Sequence, residues 1–234
     1  MKKACLTVGV LIGAFAHPAV AGPPDAALNP VTSLVEIVDA VEINGVSEVR
    51  HTVDQSPSPL VTILSDASAD DTTPRIATSN QGDAFVVWMR ESDGSVRSRQ
   101  FSYSLSAWGA SRVISDSGDT ARNPEVVHDG TDAWCIYEAQ RFVGADIVVG
   151  IIVDEPNPVL RSVVHSTPYS GDIDALIHYD MGKLWLTWVD DATHVGWSEF
   201  NYSTSQWTVV SSEDFSADSP EAARSRIRSK VTGV

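Results

Sequence analysis

An all-β fold made of repeated four-stranded units is predicted by three observations. A strand-like stretch ending in polar residues is written three times, as AFVVWMRE (84–91), AWCIYEAQ (133–140) and LWLTWVDD (184–191). The aromatic at Trp88 returns at Tyr137 and Trp188, after 49 and then 51 residues. The run from Phe101 to Trp108, F-x-Y-S-x-S-x-W, reappears from Phe200 to Trp207, two periods later. A period of about 50 residues with four short strands in each unit is the pattern of a small β-propeller, whose blades are four-stranded antiparallel sheets.

Taken in order, the chain opens with a secretory signal. Lys2 and Lys3 precede the uncharged apolar run Leu6–Ala16, and Ala19-Val20-Ala21 supplies a small-x-small cleavage pattern, so residues 1–21 are expected to be removed. The run is too short to span a bilayer, and no later segment approaches the roughly 20 apolar residues a span needs. Export to the periplasm or the extracellular space, as a soluble protein without a transmembrane segment, is the expected address.

Residues 22–30 are expected to be a flexible N-terminal segment. A divergent blade follows over 31–71, with strands at Val31–Ile43, Val46–Val53 and Leu60–Asp66. Three clear blades then occupy 72–121, 122–171 and 172–217. In the first of these the strands are Arg75–Ser79, Ala84–Arg90, Val96–Tyr103 and Arg112–Ser115, separated by Asn80–Asp83, Ser92–Gly94 and Ser104–Gly109. Their β-branched and aromatic content suits a pleated, half-buried surface, and Asp93-Gly94 is a tight-hairpin pair. Residues 218–234 read as a short basic C-terminal helix, with Ser219 as N-cap, Pro220 in the first turn and Ala223, Ile227 and Val231 on one face. A four-bladed monomer is expected; the alternative is a homodimer in which two half-rings close each other.

The second unit begins Pro124-Glu125-Val126-Val127 and the first Pro74-Arg75-Ile76-Ala77, each leading through a glycine hairpin to an apolar strand near an aromatic. This pattern resembles the repeat of the sialidase-like propeller families and covers roughly residues 60–212. The aspartate box of those families, S-x-D-x-G-x-x-W, is missing at the hairpins, and Thr73-Pro74-Arg75-Ile76 only echoes their catalytic arginine motif. The resemblance implies the fold and transfers no catalytic residue.

Composition narrows the partners. The net charge is −15, and losing Lys2 and Lys3 makes it more negative. Such a surface repels nucleic acid and anionic membrane. Cleavage leaves Cys135 as the one cysteine, so no internal disulfide forms; inside an apolar strand it reads as an inert residue. G-x-S-x-G elbows, phosphate loops, Cys/His zinc spacings and EF-type calcium loops are all missing. His128 and His178 share a register and read as paired strand-end histidines.

Rotational repetition should bring the polar ends of the second strands onto one rim: Arg90 and Glu91, Glu138 and Gln140, Asp190 and Asp191. The inter-blade loops 65–74, 115–124 and 166–174 would add Asp66, Asp70, Asp71, Asp116, Asp119, Asp172 and Asp174 there, with Arg75, Arg90 and Arg122 as counter-charges. Each aspartate taken singly also suits a tight turn. The expected function is recognition of a glycan, a peptide or an extracytoplasmic protein through this acidic face. No cofactor is required, although Ca²⁺ could be held by Asp70, Asp71, Asp116 and Asp119. One alternative is a glycoside hydrolase using Glu138 as acid and Asp190 as base or nucleophile. Another is a structural envelope protein assembling through blade edges.

Overall fold

The computed structural model describes residues 23–55, 57–142, 145–153, 161–167, 175–189 and 194–214, and the descriptions below concern these. The expected signal peptide, Asp172, Asp174, Asp190, Asp191 and the C-terminal helix lie outside them. Every regular element described is a strand, and the strands form four antiparallel sheets in chain order. The first sheet is β1 (Asp25–Leu28), β2 (Val35–Ile43), β3 (Val46–Val53) and β4 (Leu60–Ile63). The second is β5 (Asp71–Thr78), β6 (Ala84–Arg90), β7 (Ser95–Ser102) and β8 (Ala107–Trp108), with β9 (Arg112–Val113) also pairing to β7. The third is β10 (Thr120–His128), β11 (Ala133–Phe142), β12 (Ala145–Ile152) and β13 (Arg161–Thr167). The fourth is β14 (Leu176–Asp180), β15 (Lys183–Val189), β16 (His194–Asn201) and β17 (Gln206–Asp214). The architecture is propeller-like, with a divergent first blade before three repeats.

The first strands of successive sheets lie against one another: β1 on β5, β5 on β10 and β10 on β14. The sheets therefore stack face to face, and each junction carries its own core. Val38 and Val49 meet Ile76, Ala84, Val86 and Trp88 at the first junction. Phe85, Val87, Val96 and Ile114 meet Ala133, Cys135 and Tyr137 at the second. Trp134 and Ile136 meet Leu184, Leu186, Trp188 and Phe200 at the third. Alternation along a strand explains why AFVVW is apolar throughout: Ala84, Val86 and Trp88 face one neighbour, while Phe85 and Val87 face the other. Each side chain buried in this way contributes roughly 1.5–3 kcal/mol.

The repeated F-x-Y-S-x-S-x-W run is one hairpin used twice. Phe101 pairs with Trp108 and Phe200 with Trp207 across their ladders, their rings 5.4 and 5.3 Å apart. Ser106 and Ser205 hold the left-handed turn at φ of 51° and 52°. The shared spacing of the two runs is thus a packing requirement of the outer edge.

Two expectations are corrected. The segment expected to be flexible contains β1, which pairs in register with β2 from Asp25↔Val38 to Leu28↔Val35. Asn29 closes that hairpin: its Oδ1 accepts the Val31 and Thr32 amides, and its Nδ2 donates to Glu36 and to the Gly82 carbonyl. These bonds hold residues 31–34 in a turn, so the following strand starts at Val35 rather than Val31. The inner strands also start earlier than expected, at Asp71 and Thr120, because each crosses a bulge that the repeat motif does not reveal.

Candidate functional site

Bulges shape the inner strands where blades two and three meet. Pairing of β5 with β6 slips between Thr72 and Arg75, and pairing of β10 with β11 slips between Arg122 and Glu125. Thr73 and Asn123 occupy equivalent places in these slips, each just before a proline, with φ of 46° and 48°. A residue before proline ordinarily prefers extended backbone, so both carry strain of the kind a bulge stores when it re-aims a neighbour. The re-aimed neighbours are Arg75 and Glu125, which meet through Nε and Oε1 at 3.0 Å across the junction. On the other side of Arg75, the Ile76 amide donates to Asp25 of β1 at 2.9 Å. Acids from β1 and β10 thus flank a cation-bearing strand on the inner line of the sheets.

Glu138, on β11, sits at the next junction. It is 1% exposed, and its carboxylate accepts from Arg122 Nε at 3.1 Å, Asn123 Nδ2 at 3.2 Å and the Ala175 amide at 3.3 Å. Burial pushes its pKa up to about 7, against the lowering pull of the Ala175 amide and of Arg122 and Asn123. Such a group can hold and release a proton near neutrality. A second carboxylate, Glu125, stands on the neighbouring strand β10. Glu125 opposes Ile136 on the β10–β11 ladder, and Glu138 lies two residues further along, opposite Arg122. The register slip between Arg122 and Glu125 lies between the two acids, and Glu125 is paired with Arg75 of the second sheet.

The remaining rim residues occupy other places. Arg90 is buried between blades one and two, where Nε and Nη2 each reach Asp71 at 2.8 Å and further bonds run to Asp66 and Ser68. Glu91 is exposed and accepts from the Thr72 hydroxyl; Gln140 is exposed opposite Thr120. Arg90 and Glu138 thus face different junctions, since successive side chains on a strand point to opposite blades.

The acids weighed for calcium have protein partners. Asp70 accepts the Ser47 amide, Asp71 holds Arg90, and Asp119 accepts from the Tyr137 hydroxyl, which in turn accepts the Asp116 amide. Among the described residues, no group of three or more His, Cys, Asp or Glu is arranged to hold a metal ion. His128 accepts the Gly130 amide and stacks on Phe85. Cys135 is fully buried, which raises its thiol pKa far above the ordinary range and makes it inert.

Sequence reasoning missed Asp25, Glu125 and Asn123, and undervalued Arg122 as a mere counter-charge. One signal was available: Thr73-Pro74 and Asn123-Pro124 repeat a polar-proline pair at the same register, the mark of a bulge on an inner strand.

No family model matches the chain, and no curated protein sequence does. Solved structures do. A thermostable family-43 glycoside hydrolase aligns with 84% of this chain and 77% of its own, at a TM-score of 0.51 and 12% identity. An α-L-arabinofuranosidase from Clostridium thermocellum aligns with 85% and 74%, at a TM-score of 0.51 and 10% identity. At these identities the likeness establishes the propeller-like architecture alone.

Proposed function

We propose that this protein is a carbohydrate-active propeller of the glycoside hydrolase type, with Glu138 as proton donor. The observation that carries the reading is the buried Glu138 carboxyl, held by Arg122, Asn123 and the Ala175 amide, its pKa pushed by burial up to about 7. The two glycosidases of the same architecture support this reading over recognition through an acidic face, since the described loop acids are engaged by protein groups.

In the proposed reaction, Glu138 gives its proton to the glycosidic oxygen as the bond to the anomeric carbon breaks. Glu125, held by Arg75, either draws a proton from a water whose oxygen bonds to the anomeric carbon, or itself bonds to that carbon until water displaces it. A separation of about 6.5–9.5 Å between the carboxyl groups would select the first course, inversion. Asp190, the second carboxylate expected from the sequence, lies outside the described residues, and Glu125 takes that role in this reading. Recognition of a glycan without turnover is the second reading, favoured by the depth of Glu138 below its three donors.

The test is release of 4-nitrophenol from a panel of aryl furanosides and pyranosides, together with calorimetry against the matching oligosaccharides. Turnover lost in Glu138→Gln and in Glu125→Gln supports hydrolysis. Binding without turnover supports recognition, and inertness in both assays rejects both.

A further inference from the structure

The twin bulges share a backbone and differ in what their side chains can reach. At Thr73 the bulge lies beside Met89 of β6, which the ladder sets opposite Thr72, and the Thr73 hydroxyl makes no hydrogen bond among the described residues. At Asn123 the same backbone carries an amide that reaches Glu138. Asn123 is itself exposed, whereas Glu138, which it reaches, is buried. Asparagine is also one of the few residues that tolerate a left-handed backbone, and unlike glycine or aspartate its side chain can donate to an anion while it holds the bulge.

We propose that Asn123 is a positioning residue for Glu138: one strained residue sets the bulge that presents Glu125 and, through its side-chain amide, fixes the Glu138 carboxyl. The inference rests on the proposed hydrolytic reading for its purpose, while its physical content stands apart from it. The described charged group in contact with Glu138 is Arg122, opposite it on β10; Glu125, beyond the register slip, is paired with Arg75. From the fourth blade the described contact is the uncharged Ala175 amide.

Two substitutions separate positioning from bulk structure. Asn123→Gly keeps the left-handed backbone without strain and removes the donor; Asn123→Asp keeps the shape and replaces the donor with a like charge. Both remove support from the ionised form of Glu138. Carbon NMR of protein labelled at the glutamate δ-carbon, with Glu138 assigned through Glu138→Gln, reads its titration directly. The midpoint is expected to rise by about one pH unit in Asn123→Gly and by more in Asn123→Asp. An unchanged midpoint in folded Asn123→Gly overturns the inference, whatever the activity; if Asn123→Asp does not fold, the glycine variant decides alone. Should the midpoint move while no variant or wild type turns over any sugar, the hydrolytic reading fails and the positioning role survives. Turnover that depends on Glu138, with an unmoved midpoint, removes the positioning role and leaves hydrolysis standing.

Discussion

Arg122 holds its guanidinium 3.1 Å from Glu138, and the carboxyl nonetheless titrates near pH 7. A cation at that distance would ordinarily pull a carboxylate below its usual range. Here the loss of water outweighs it, because Glu138 is 1% exposed while the Arg122 side chain is 31% exposed and partly screened. Placed between the third and fourth sheets, the carboxyl keeps three donors, from Arg122, Asn123 and the Ala175 amide, in place of water.

Glu138 should make stability depend on pH in a definite direction. Its folded pKa, about 7, lies above the ordinary 4.5, so between these values the folded protein keeps a proton that the unfolded chain releases. The resulting stabilisation is fully present below about pH 4.5 and is lost as pH rises through 7. Its size is on the order of 3 kcal/mol. Urea denaturation from about pH 4.5 to about pH 8 should show this decline in the wild type and a flatter profile in Glu138→Gln. A wild-type profile already as flat as that of the variant contradicts the assignment.

Arg90 and Asp71 form a two-pronged pair with Asp71 fully buried. Removing one partner leaves the other charged and desolvated, which typically costs about 3–5 kcal/mol. Arg90→Met is expected to lower the thermal midpoint strongly. Arg90→Lys should recover little of the loss, since an ammonium cannot form both prongs.

Gly196 is covered by the Trp188 indole, and a β-carbon added there would overlap the ring. Gly196 opposes Trp188 on the β15–β16 ladder, so the clash cannot be relieved by a surface rotamer. Gly196→Ala should destabilise the fourth blade by about 1–3 kcal/mol or more, read by thermal melting and by a shift in tryptophan fluorescence. A neutral substitution would show that Trp188 does not pack as described.

Most of the architecture was legible because period and alternation are written in residue types. The spacing of Trp88, Tyr137 and Trp188 marked the repeats, and the doubled apolar faces of Ala84–Trp88 marked strands buried on both sides. The first strand was not legible, since Asp25–Leu28 is only half covered and its pairing depends on the Asn29 turn, a long-range set of hydrogen bonds. Glu138 was found as a strand-end acid. Its neighbours were not, because the slip at Asn123 shifts register and decides which blade Glu125 reaches. Which junction Arg90 and Glu138 face was also not legible, because it follows from strand parity and not from residue type.

The most direct test of Glu138 as proton donor is hydrolysis, by wild type and Glu138→Gln, of one sugar carried on two leaving groups, 4-nitrophenol and the far more acidic 2,4-dinitrophenol. A loss of about 10²–10⁴-fold is expected on the poorer leaving group, which needs the proton, and a much smaller loss on the better one. A wild type inert to every glycoside offered, or a Glu138→Gln variant as active as wild type on both substrates, would contradict it.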